Sequence, residues 1–149
     1  MEKREAEELI KALKWDVNED EQKIAFDKLA YIEPELVEVL LQPINKDYWE
    51  NAAKVLKLIG YPRNKLAIPG LLEWLQDMNW PGAIEAKEAL MEVEKNILIP
   101  YIEKALLNAK EQDDTVWIAW IKELIIELHI TEQDFSDIQN YKILELAEW

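Results

Sequence analysis

A short proline-led segment occurs three times, and this repetition constrains the fold more than any other feature of the chain. The copies are Pro34-Glu35-Leu36-Val37-Glu38-Val39-Leu40, Pro69-Gly70-Leu71-Leu72-Glu73-Trp74-Leu75 and Pro100-Tyr101-Ile102-Glu103-Lys104-Ala105-Leu106. Their prolines lie 35 and then 31 residues apart. Self-similarity at periods of roughly 20–50 residues marks stacked supersecondary units. Proline is tolerated in a first helical turn, where its missing N–H has no partner to lose. Apolar residues follow at steps of three and four, as one buried helical face requires. Each segment therefore predicts a short first helix.

A longer helix is expected behind each. The first spans Asp47 to Gly60, with Asp47 as cap, Glu50 in the reciprocal capping position and Gly60 as the stop. The second starts near Trp80-Pro81 and runs through Ala83, Ala86, Ala89 and Leu90. The third starts near Asp114 and carries Trp117, Ile121, Leu124 and Leu128. An earlier pair holds Ala6, Leu9, Ile10 and Leu13, then a helix capped by Asn18 with Ile24, Leu29 and Ile32. Thr131 and Asp134 read as the cap of a last helix through Phe135, Ile138 and Leu144. The expected fold class is all-α: an α-solenoid of about nine helices, as four helical hairpins plus a C-terminal capping helix, in a single domain over residues 1–149. A closed bundle is the alternative, but it needs only amphipathic helices, not proline-led short ones alternating with alanine-rich long ones. The connections at Pro62-Arg63-Asn64-Lys65 and Lys110 to Asp114 read as the most exposed.

Composition narrows the function. Thirty-one acids against 17 bases give a net charge of −14, which opposes the counterion release that nucleic-acid binding requires. The only two arginines, Arg4 and Arg63, further weaken a phosphate-binding reading. The chain has no Cys, so disulfides and thiolate chemistry are excluded, and a reducing cytoplasm is expected. No apolar run approaches the roughly 18 residues of a membrane span. Met1 to Glu5 mixes acids with bases and leads into no apolar stretch, which argues against a signal peptide.

Two resemblances attach to these residues. Asp47 to Gly60 resembles the second helix of a HEAT repeat, and Ala67 to Asp77 the first helix of the next. Asn51 stands where HEAT repeats often place an arginine. More specifically, Leu71 to Pro81, Leu98 to Ile102 and Asp114 to Trp120 are similar to a bacterial family known as domain of unknown function 5071, with the resemblance strongest over residues 66–135. The Trp-Leu-Gln-Asp-Met-Asn-Trp-Pro string at 74–81 is its most distinctive element. The resemblance implies a helical, HEAT-like fold and no known activity.

Seven tryptophans are the oddest feature of the composition. Trp49, Trp80 and Trp117 each sit near the start of a second helix, just after Asp47, Asp77 and Asp114; Trp120 shares a face with Trp117. If second helices line a concave face, these residues and Asn79 form an aromatic–acidic strip suited to a protein partner. The competing reading is packing between repeats. Burying a Trp removes roughly 150–250 Å² from water, about 4–6 kcal/mol of gross transfer free energy at ~25 cal/mol per Å². The aspartates also read as helix caps. Asn79 is either a cap or a ligand-facing amide.

Catalytic patterns are sparse. A triad would need both the single His129 and the single Ser136, and no glycine elbow surrounds the serine. Glu85, Glu88 and Glu92, like Glu123 and Glu127, recur at helical spacing and read as solvated faces. No cofactor and no metal site are expected. The leading expectation is a non-enzymatic scaffold binding a protein, with an acidic immunity-type inhibitor of a basic toxin as one concrete version. The alternatives are a carboxylate-based, metal-dependent hydrolase and a HEAT-like nucleic-acid-binding protein.

Overall fold

Short polar side chains decide where the helices begin. In the computed structural model, which describes residues 1–149, Asn18 accepts from the Glu21 N–H and opens α2 (Glu19–Leu29) behind α1 (Lys3–Ile10). Asn45 opens α3 (Lys46–Ile59) by accepting from the Asp47 N–H at 2.9 Å. The cap is therefore Asn45, two residues before the expected Asp47. Asp47 sits instead in the first turn, where a carboxylate still complements the helix dipole. Gly60, at φ 71, ends α3 as expected.

The remaining elements are α4 (Ile68–Glu73), α5 (Ala83–Met91), α6 (Lys95–Glu111), α7 (Thr115–Glu127) and α8 (Ile138–Lys142). Six 3-10 segments complete an all-α chain without strands, among them Pro34–Leu40 and Trp74–Gln76. Two of the three proline-led segments begin near their proline. The third does not: Pro100 lies inside α6. The apolar stripe of α6 already starts at Leu98 and Ile99, so burial holds the helix on both sides of the proline. The carbonyl that Pro100 cannot serve belongs to Asn96, an exposed residue.

Two other expected starts shift. α5 begins at Ala83 behind Gly82, not at Trp80-Pro81. Thr131 and Asp134 do close a reciprocal capping box, but around one 3-10 turn (Glu132–Asp134). Asp137 then caps α8 separately.

One apolar core of 39 buried residues extends from Ala6 to Leu144. Packing passes from pair to pair. α1 meets α2 and Pro34–Leu40, which in turn meets α3; α3 lies along α5; α4 meets α5 and α6; α6 and the 3-10 turn Ile143–Leu146 both meet α7. Polar side chains stitch the neighbours together. The Asn51 amide donates to the Leu13 carbonyl at 2.8 Å. The Arg63 guanidinium donates to the Ala30 and Ile32 carbonyls, each at 2.7 Å. The 62–65 connection was expected to be exposed, yet Asn64 is buried and Arg63 is tied down. The carbonyls at the end of α2 have no helical partners, and Arg63 supplies their donors.

Candidate partner-binding surface

The most distinctive string of the sequence builds a tryptophan cluster. After α4, Trp74 is wholly buried, and its indole N–H donates to the Pro81 carbonyl at 3.0 Å. The chain between them folds as a tight turn. The Asp77 carboxylate accepts from the Asn79 N–H at 2.8 Å, and the Trp80 N–H donates to the Asp77 carbonyl at 3.0 Å. This turn sets Trp80 edge-to-face on Trp49, with ring centroids 5.7 Å apart; Trp49 meets Trp74 in the same way at 6.3 Å. Such T-shaped pairs add to plain area burial. Gly82 makes the approach possible. At φ 84, a Cβ there would lie 2.7 Å from the Trp49 carbonyl oxygen and 2.9 Å from the Trp74 ring.

The structure divides the predicted strip. Trp49, Asp77, Asn79 and Trp80 come together, with Asp47 exposed in the first turn of α3. Asn79 caps no helix; its backbone closes the turn and its side chain is solvent-exposed. Trp49 and Trp80 are half-buried. The Trp49 indole N–H is buried without a partner.

Trp117 does not belong to the surface. It is 1% exposed, and its indole N–H donates to the Leu72 carbonyl at 3.0 Å. The preceding hairpin offers an acceptor and a fitted hole, so packing outcompetes exposure. Asp114 is the N-cap of α7, accepting from the Trp117 N–H at 3.0 Å. Trp120 is half-buried in a separate pair with Trp149, centroids 4.5 Å apart.

Trp15 was missed by sequence reasoning. It is 66% exposed in the connection between α1 and α2, and its backbone N–H donates to the Asp47 carbonyl at 3.1 Å. That bond places an exposed indole beside the start of α3. A lone Trp between Lys14 and Asp16, outside any apolar stripe, was the available signal.

Two further features bear on chemistry. A cleft of about 200 Å³ between α4 and α6 is lined by Leu72, Glu73, Tyr101, Lys104 and Trp117 among others. That is below the roughly 300–1,000 Å³ typical of small-molecule sites, and nearer the size of one inserted side chain. Ser136 donates to the buried Glu103 carboxylate at 2.6 Å, and the Asp137 N–H donates to the same group at 3.0 Å. Ser136 thus fastens α8 to α6. No group of three or more His, Cys, Asp or Glu side chains stands close enough to hold a metal ion. Two carboxylates sit below their ordinary range. Glu33 is lowered by its hydrogen bond to the Met1 ammonium, and Asp134 by the Thr131 N–H, assisted by Lys95.

No helix is long and apolar enough to cross a membrane. No curated protein and no solved structure matches the chain. A family model does match, over residues 41–147, a span that holds Asp47, Trp49, the 74–82 turn and α7. On that match over more than half its length, the chain belongs to the family described as Domain of unknown function (DUF5071).

Proposed function

We propose that this chain is a HEAT-like α-solenoid acting as a non-enzymatic, protein-binding scaffold in the cytoplasm. Support for the solenoid comes from packing that passes between successive helical pairs, with side chains such as Asn51, Arg63 and Trp117 crossing from one pair to another. Such stacks present extended surfaces to partners.

One observation carries the binding role: Trp15, two-thirds exposed, stands next to Asp47, at the end of α3 where Trp49 and Trp80 are half-buried. An indole left in water forgoes the transfer free energy its neighbours gain, and exposed Trp is enriched in interface hot spots. The net charge of −14 accelerates encounter with a basic partner and gives the immunity-type version its rationale.

The test is affinity capture from host lysate with wild type, Trp15→Ala and Asp47→Lys side by side. Both substitutions lie at exposed positions, so their melting curves should match wild type. A protein retained by wild type and lost from both variants is the expected result. Identical capture by all three would overturn the reading.

A further inference from the structure

Ile44 combines two features that neither the backbone nor the core explains. It lies in the left-handed region at φ 57, and it is 62% exposed. A β-branched side chain is sterically disfavoured at positive φ, where Gly or Asn fits. Burial could offset that cost, but most of this side chain stands in water. Ile44 belongs to the connector between Pro34–Leu40 and α3. Gln42, two residues earlier, is also left-handed at φ 44, and its amide nitrogen is buried without an acceptor. Both ends of the connector are fixed. Leu41 packs on Gly70, in the space a side chain there would take, and Asn45 caps α3. Strain held in place by its surroundings is characteristic of ligand clamps and switch regions.

Ile44 lines a groove of about 560 Å³ between α1 and Pro34–Leu40, together with Ile10, Val39 and Pro43. Clefts of roughly 300–1,000 Å³ are typical of ligand sites. Ile10 is buried, Val39 and Pro43 are half-buried and Ile44 is open, so the apolar lining is graded from core to solvent. Four charged residues complete it: Lys3, Glu7, Lys11 and Glu38. Lys3 pairs with Glu7 at 4.0 Å, and Lys11 pairs with Glu8 at 3.0 Å. Glu38 is exposed and is the one lining charge without an ion pair.

We propose that this groove binds a peptide segment of a partner, with an aliphatic side chain seated against Val39, Pro43 and Ile44 and an adjacent lysine or arginine paired with Glu38. The apolar lining selects the aliphatic side chain. The unpaired carboxylate, in a chain of net charge −14, selects the cation beside it. Covering Ile44 on binding accounts for an isoleucine where the fold by itself favours Asn or Gly. The groove contains neither Trp15 nor Asp47, so the proposal stands apart from the surface assigned above.

The probe is a capped pentapeptide with a leucine-lysine-leucine centre, titrated into isotope-labelled protein and followed by amide chemical shifts at physiological salt. The largest shifts should fall on Ile10, Val39 and Ile44. Ile44→Asn should weaken binding about tenfold by removing apolar contact. The same variant should melt at or above the wild-type temperature, because Asn accepts the left-handed conformation. Any acidic protein attracts a cationic peptide, so Glu38→Gln is compared with Glu111→Gln, an equal change of charge at a distant exposed position. Only Glu38→Gln should weaken binding, by about threefold, as for an exposed ion pair. Trp15→Ala should bind the peptide like wild type. No binding at millimolar peptide, equal effects of the two glutamine variants, or wild-type affinity in Ile44→Asn would overturn the proposal. So would a lower melting temperature in Ile44→Asn, which would show that the isoleucine serves the fold.

Discussion

Two connectors join a first helix to its second, and each carries tryptophan to an opposite fate. In the 74–82 connector, Trp74 is wholly buried and its indole N–H is satisfied by Pro81. In the connector before α2, Trp15 stays 66% exposed, held through its backbone, which donates to the Asp47 carbonyl and accepts from the Gln22 amide. A glycine marks the difference. Gly82 lets the later turn close onto the Trp49 backbone, and no glycine lies between Leu13 and Asn18. A large aromatic goes inside when a neighbouring backbone offers an acceptor and enough room; the indole itself does not decide.

The strongest challenge to this contrast is Trp117→Ala. It empties a filled site and removes the indole hydrogen bond to the Leu72 carbonyl, so a loss of about 3–5 kcal/mol in urea unfolding is expected. A loss under about 1 kcal/mol would show that the site collapses without cost. Gly82→Ala comes next. The left-handed conformation costs a side chain roughly 1–2 kcal/mol, and displacing the Trp49 backbone adds roughly 1–3 more. The combined expectation is a loss of about 2–5 kcal/mol, with a changed near-ultraviolet signal from the tryptophan cluster. Trp15→Ala sharpens the opposite side: its stability should stay within about 0.5 kcal/mol of wild type, as at an ordinary surface position. A larger loss would mean that the indole is structural and would weaken its assignment to an interface.

The smallest effect concerns pH. The folded-state pKa of Asp134 lies below its ordinary value because the Thr131 N–H bonds the ionised carboxylate and Lys95 stands nearby. Its contribution is present above the unfolded pKa and is lost as pH falls through the folded one. Urea midpoints measured downward from pH 5 should therefore fall less steeply for Asp134→Asn than for wild type. Parallel curves would show that the capping box contributes nothing to acid sensitivity.

Much of the helical layout was legible because helix starts are local. Asn18 and Asp114 cap the helices assigned to them, the Thr131–Asp134 box forms, and Gly60 ends α3. The errors arose where two local signals competed. Asn45 and Asp47 are both good caps two residues apart, and the backbone used the first. Pro100 looked like a first-turn residue, but the buried stripe of its helix already begins ahead of it, at Leu98 and Ile99. The candidate surface was half legible: Trp49 and Trp80 do meet, but nothing near Trp117 announced that Leu72, 45 residues earlier, would accept its hydrogen bond.

Amino-acid order alone determined the all-α class, the approximate helix positions and the acidic character, since periodicity, capping and charge act over a few residues or simply add along the chain. Tertiary structure alone decided which indoles are buried, which carboxylates are paired and which apolar side chains are left in water. Those outcomes depend on an acceptor, a cation or a cavity supplied by a distant part of the chain, and local sequence carries no record of them.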